Sequence, residues 1–508
     1  MIFSVTYYHD KVVFECHPES ADEYTGFRGE DRHLPIKLIN RQLVFKHKIT
    51  KDIHPDIIGL ICLVAFYPYI KKKITFPRAV SKSFVNLVNK NVLPKMEVVN
   101  GFIPTNSSNI GDIPYHPVGE LVISNIDENV QPFNGANNVI AYGGGMDSTS
   151  LALLFPEYPL ITQLDKDDDR KEMAKLLSKF PNDSQLIECN IRSLSAPWGF
   201  TGWCNGFLVP LLLASEMGIK NIMCGDIMDM CRIIYKNRQM FKYFKYTPFN
   251  HIHWINAFKC IGINLVFPII GCSELITSKI VYDSGLHTSV LYCQKNNGAP
   301  CHKCSKCFRK LMLLNYHGYQ LSDNIWDQFN YPEILTQDPL CFGHIYVECI
   351  RNNQKIKFKM IKYINDLTKL PTSIFKKINP EGFDYLSSDI KKMIIDRLSS
   401  KFDVMSSHDM SLLKSTNFLP TRVIDQEILD QLSSSENLKQ QIDNTKQNKI
   451  TEVKLQKTKE IKQSKNIKPI KTLIVKNDKP KNNINNGLQK NINFFSLSKN
   501  IVIDSVKM

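Results

Sequence analysis

A chain of 508 residues exceeds one ordinary domain, and a 43% hydrophobic, 10% aromatic composition excludes a wholly disordered or fibrous protein. The formal net charge of +15 suggests a polyanionic partner, but from Gln431 onward 16 lysines face 6 acidic residues. Most of the excess therefore belongs to a tail and not to a folded surface.

The first segment reads as a small α+β domain over residues 1–125. Phe3 to Tyr8 and Lys11 to Cys16 predict two strands around a His9-Asp10 turn. Met1 to Val5 lack a basic leader, and the 14 cysteines then imply reduced thiols, so the expected setting is cytoplasmic. The apolar run Ile57 to Tyr67 is well short of a bilayer span, so no membrane span is expected. It predicts a buried helix, with an interfacial helix beside Lys71-Lys72-Lys73 as the alternative. Ile74 to Pro77 predicts a short strand and Phe84 to Val92 a helix. Pro, Gly, Asn and Ser between Pro94 and Pro132 predict a linker, with a domain boundary near residue 125.

Residues 126–345 alternate strand and helix. Strands are expected at Val139 to Tyr142, Pro159 to Leu164, Gln185 to Cys189, Asn221 to Cys224 and Leu265 to Pro268. Helices are expected at Arg170 to Lys179 and Phe207 to Met217. That rhythm predicts an α/β fold with a parallel sheet. After the first strand comes Gly143-Gly144-Gly145-Met146-Asp147-Ser148-Thr149. Glycines at a helix start admit a ligand close to the backbone and leave amides free for phosphate. The loop is not a P-loop, because no Gly-Lys-Ser/Thr follows.

Cys293, Cys301, Cys304 and Cys307 follow as C-x7-C-x2-C-x2-C. Four thiolates at this spacing suit a closed, structural Zn²⁺ site, with an iron–sulfur cluster as the chemical competitor. Gly298 and Pro300 supply a turn, and Lys295, Lys303, Lys306, Arg309 and Lys310 would offset the thiolate charge. The other ten cysteines read as small apolar residues. Residues 346–430 predict a helical region. Residues 431–508 predict a disordered Lys/Asn-rich tail whose apolar groups, such as Leu473 to Val475 and Phe494-Phe495, are docking candidates.

The glycine loop and the cysteine cluster, in this order, resemble the PP-loop ATP pyrophosphatase superfamily, and within it the 7-cyano-7-deazaguanine synthases. The superfamily motif is S-G-G-x-D-S followed by a hydroxyl residue, and the synthases end in a similar cysteine cluster followed closely by arginine, here Arg309. The stretch from Phe207 through Gly225-Asp226, and Phe267 to Ile270, also look like that family; the likeness covers about residues 137–320. It implies a HUP-like domain in which residues 143–149 bind ATP and Mg²⁺. Asp147 and Ser148 would be catalytic, and ATP would be cleaved to AMP and pyrophosphate while an acceptor oxygen is adenylated for a nitrogen or sulfur nucleophile. The acceptor is not specified.

Gly143 replaces the family's opening serine, and Glu274 stands where a lysine is expected, so it would repel phosphate if it pointed inward. The aspartate-rich substrate segment is reduced to Asp226 and Asp229. Asp165 is a candidate near the nucleotide. By residue type alone, His251, His253 and His302 are candidate bases, and Cys204, Cys224 and Cys231 candidate sulfur carriers. A nucleic-acid-directed component tethered by the basic tail, a non-catalytic nucleotide-binding scaffold, and a homodimer all remain compatible with the sequence.

Overall fold

The computed structural model describes residues 1–19, 37–66, 70, 73–89, 122–165, 170–196, 204–235, 238–241, 251–293, 300–329, 342–351, 364–365, 370–418 and 421–422. The tail from residue 431, most of the linker, Asp167 to Asp169, Lys71-Lys72, and Lys295 and Gly298 lie outside the described residues. So do the side chains of Cys204, His251 and His253. The described residues up to Thr421 fall into one compact unit.

At the N-terminus β1 (Ile2–Tyr7), β2 (Val12–His17) and β3 (Gln42–Phe45) form an antiparallel sheet in that order. Val5 stands opposite Phe14, and Phe14 opposite Leu43. Alternation drives one face inward: Val12, Phe14 and Cys16 are all fully buried. Helix α1 (Pro55–Phe66) is buried from Asp56 to Phe66. This is the expected core helix, and no helix among the described residues is long and apolar enough to cross a membrane. Asp56 is tolerated there because it accepts from the amide and hydroxyl of Ser81 at 2.7 and 2.8 Å.

The central sheet has five parallel strands: β4 (Asn137–Ala141), β5 (Leu160–Leu164), β6 (Ser184–Glu188), β7 (Ile219–Cys224) and β8 (Asn264–Val266). Their spatial order is β6-β5-β4-β7-β8. Short apolar runs such as Val139-Ile140, Leu160-Ile161 and Leu265-Val266 suit strands covered on both faces. Asparagines pin the register at one end. Asn221 donates to Asn138 at 2.6 Å, and Asn264 donates to Asn221 at 2.8 Å. Counted along the chain, the order is 3-2-1-4-5, which reverses between β4 and β7. In open α/β sheets ligands bind at that switch, beyond the carboxyl ends of the strands.

Between the strands run α2 (Met146–Leu154), α3 (Arg170–Leu177), a helix broken at Leu213 over residues 208–217, and α4 (His251–Cys260). Helix α5 (Glu274–Asp283) follows β8 and packs on α2. Then come α6 (Ser305–Tyr316) and α7 (Gly343–Arg351), and later α8 (Ser388–Ser399) and α9 (Ser407–Ser415).

The sequence boundary near residue 125 does not divide the core. Phe14, Phe45 and the whole of α1 belong to one apolar cluster with the central sheet. Val44 donates its amide to Asn190 at 2.7 Å, and His54 donates its amide to Ser215 at 2.9 Å. Described residues after 345 also buttress the sheet. The Tyr385 hydroxyl accepts from the Phe267 amide at 2.7 Å, and Asn379 donates to the Gly271 carbonyl at 2.8 Å.

Candidate functional site

The loop 143–149 leaves β4 at the switch between β4 and β7. Gly144 turns the chain with φ = 73°, a conformation glycine adopts without steric cost. Gly225, just past β7, comes so close that a Cβ there would lie 2.8 Å from the Ser148 nitrogen. The end of β7 thus packs backbone to backbone against the loop that follows β4. Gly145 is the N-cap of α2, and no side chain caps that end. Amides of the first turn are left to water or a ligand, and the helix dipole favours an anion there.

The expected loop residues divide by what they face. The Ser148 hydroxyl is half-buried and donates only to the Gly145 carbonyl, at 3.2 Å. Thr149 is different: its hydroxyl is fully buried and pairs with the Tyr142 hydroxyl at 3.0 Å. It braces the loop from beneath. Met146 is buried in the neighbouring core. Asp147 remains 29% exposed at its side chain. Its Oδ1 accepts from the Thr277 hydroxyl at 2.8 Å and lies 3.9 Å from Lys310 Nζ, which leaves Oδ2 for another partner. Desolvation raises the Asp147 pKa; Lys310 opposes that rise and Glu274 adds to it.

Glu274 does not confront the loop as a bare carboxylate. Arg309 Nε donates to its Oε2 at 2.9 Å, and Lys310 Nζ donates to its Oε1 at 3.1 Å. Desolvation alone would raise its pKa, but the two cations outweigh that and hold the carboxyl well below its ordinary value. The repulsion expected of Glu274 is thereby cancelled, because the charge is reversed by residues from another helix. Arg309 also lies 3.5 Å from the Phe342 ring centroid.

Lys306, Arg309 and Lys310 are spaced i, i+3, i+4 on α6, a spacing that places them on one helix face. Lys306 pairs with no carboxylate among the described residues. Its pKa is lowered by desolvation and by the like charges of Lys310 and Arg309. Arg309 and Lys310 were expected to balance thiolates; they are engaged by Glu274 instead. Behind them, Asp229 accepts from the Glu274 amide at 2.9 Å and from His344 Nε2 at 2.5 Å, all buried.

The four cysteines do converge. Their sulfurs all lie within 4.8 Å of one another, and Cys301 and Cys307 are 3.7 Å apart. Tetrahedral zinc with Zn–S bonds of about 2.3 Å requires sulfurs roughly 3.7–3.8 Å apart, so an all-sulfur donor set of this size fits such an ion. Cys304 is also the N-cap of α6, its sulfur accepting from the Cys307 amide at 3.4 Å. Hydrogen bonding from Cys307 lowers Cys304 to about 5 and pushes Cys307 up in turn. His302 takes φ = 55° between two ligands and is not among the converging side chains.

Other expectations resolve simply. Asp165 pairs with Arg192 at 2.6 Å. Cys224 and Cys231 are in no disulfide, and burial raises Cys224 well above the usual thiol range, so it is a poor sulfur nucleophile. Among the described residues the cysteines outside the cluster form no disulfide and are largely buried.

Sequence reasoning missed Thr277, Leu291 and the Asp229–His344 pair. It also missed the pairing of Glu274, although the 306/309/310 spacing carried a signal for it.

A family model described as a family of unknown function (DUF6395) matches residues 253–417. The match takes in the four cysteines, Glu274, Arg309, Lys310 and His344 but not the glycine loop. No curated protein and no solved structure matches the chain.

Proposed function

We propose that the chain is an ATP-dependent adenylating enzyme of PP-loop type, cleaving ATP to AMP and pyrophosphate, with a structural zinc on its four cysteines. The carrying observation is the position of the uncapped, glycine-rich start of α2 at the sheet's switch point. Helix α6 brings Lys310 to 3.9 Å from Asp147 and also carries Lys306, which forms no ion pair among the described residues. In this reading the amides of Gly144 and Gly145 and the Ser148 hydroxyl hold the phosphates, and Gly143 lines the approach. Asp147 Oδ2 would orient Mg²⁺ or the loop's ligand. An acceptor oxygen attacks the α-phosphorus and pyrophosphate leaves. The protein's task is to hold the attack in line and neutralise the departing charge. The zinc would be closed to water and structural, tying α6 in place.

Pyrophosphate release from ATP, with candidate carboxylate and amide acceptors, tests the reading in the purified protein and in Asp147→Ala. The expected result is release that drops at least about tenfold in the variant. Release that persists unchanged sinks the site assignment. Tight ATP binding without release by any acceptor supports a nucleotide-binding scaffold. Elemental analysis is expected to find one zinc per chain.

A further inference from the structure

The glycine loop and the cysteine cluster are not independent. The segment entering the cluster lies on the loop: the Leu291 amide donates to the Gly144 carbonyl at 2.8 Å, two residues before Cys293. A Cβ on Gly144 would sit 3.4 Å from the Leu291 side chain, and one on Gly145 would sit 3.6 Å from the Leu291 carbonyl. The segment leaving the cluster reaches the same loop from another side. Cys304 caps α6, Cys307 lies in its first turn, and Lys310, one turn on, stands 3.9 Å from Asp147. An ion held by Cys293 and by Cys301, Cys304 and Cys307 would therefore join the segment bonded to Gly144 to the helix that brings Lys310 beside Asp147.

The geometry points to the four-cysteine centre as the positioning element of the glycine loop: the metal-loaded cluster holds loop 143–149 in its anion-binding shape by pulling Leu291 and α6 together. This rests on the phosphate-binding reading for its consequence, anion affinity, but not for the shape of the loop. Loading the centre and binding an anion must then favour each other reciprocally.

The test uses the full chain with Co²⁺ in place of Zn²⁺, because tetrahedral sulfur-bound Co²⁺ absorbs visible light. Titration with inorganic pyrophosphate is expected to shift that absorption, saturating together with calorimetric binding. The metal-free protein is expected to bind pyrophosphate at least about tenfold more weakly. Hydrogen exchange is expected to speed up at 143–149 on metal removal while strands β4 and β5 keep their protection. Equal affinity with and without metal, in protein that keeps its sheet, overturns the proposal. If the loaded protein binds no pyrophosphate, the phosphate reading fails and exchange alone decides: unchanged exchange at 143–149 overturns the positioning role, and faster exchange confined there upholds it. If metal removal unfolds the sheet, metal-loaded Leu291→Pro, which removes the amide that bonds the Gly144 carbonyl, replaces it with the same two outcomes.

Discussion

The cysteine cluster draws its ligands from one short stretch, Cys293 to Cys307, and Cys304 both offers a ligand and caps the helix that follows. The glycine loop takes its surroundings from far along the chain: Thr277 on Asp147, Leu291 on Gly144, Lys310 beside Asp147, Gly225 against Ser148. A local motif carries its own geometry. A distributed one has a backbone that can be read in sequence and an electrostatic environment that cannot. Losses in the cluster should accordingly be large and global, and changes at the loop small and specific.

The largest effect expected is from Cys304→Ala. It removes one of four ligands together with the cap on α6, and about 10 kcal/mol or more of zinc-binding free energy is coupled to folding in such sites. Elemental analysis should fall from one zinc per chain to none, with a large drop in thermal midpoint. Retained zinc and an unchanged midpoint would break the comparison, because the cluster would then not be holding the helix.

Next comes Glu274→Ala. It leaves Arg309 and Lys310 buried without their common carboxylate, a loss of roughly 3–5 kcal/mol for a broken buried pair. Urea denaturation measures it. Adding Lys310→Met should recover part of the loss, since it withdraws one of the two stranded charges. Strictly additive losses would mean that Glu274 and Lys310 do not act as a unit.

Helix α6 links the two regions, and pH tests its far end. His317, just past α6, is lowered to about 4, chiefly by desolvation and further by Lys279, and pairs with the Ser278 hydroxyl at 2.8 Å. In the unfolded chain it titrates near pH ~6.5. Between those values the unfolded state binds more protons, so this contribution is fully present above about pH 6.5 and is lost as pH falls toward about 4. At about 1.4 kcal/mol per pH unit the loss reaches roughly 3 kcal/mol. His317→Gln should flatten the stability slope over that window relative to the parent. An identical slope would show that His317 is not desolvated.

Legibility in the sequence followed the same division. The parallel strands were readable because short apolar runs such as Val139-Ile140, Leu160-Ile161 and Leu265-Val266 alternate with helical stretches, and the cluster was readable because its spacing is its geometry. The strand order was not readable, since it depends on which strands neighbour one another across the sheet. Nor was the inclusion of Phe14, Phe45 and the apolar residues of α1 in the main core: a linker-like composition marks a break in local structure and says nothing about where the flanking segments pack. Glu274 was misjudged because its position was weighed without its partners, which lie one helix away. Thr149 fits a phosphate-binding pattern, yet α2 turns its hydroxyl toward Tyr142.

The smallest structural effect belongs to the most specific question about the loop. A Cβ on Gly143 would meet nothing within 4 Å, so the missing serine is not excluded by packing. Gly143 has no positive φ among the residues that do, so a side chain there carries no left-handed strain. Gly143→Ser should therefore change stability by less than about 0.5 kcal/mol, as substitutions into open space do. If the loop holds phosphate, the added hydroxyl supplies one more donor, worth roughly 0.5–1.5 kcal/mol, or up to about tenfold tighter pyrophosphate binding by calorimetry. An unchanged affinity at unchanged stability would mean that position 143 does not face the anion. The chain's departure from the family pattern would then lie outside the phosphate contacts.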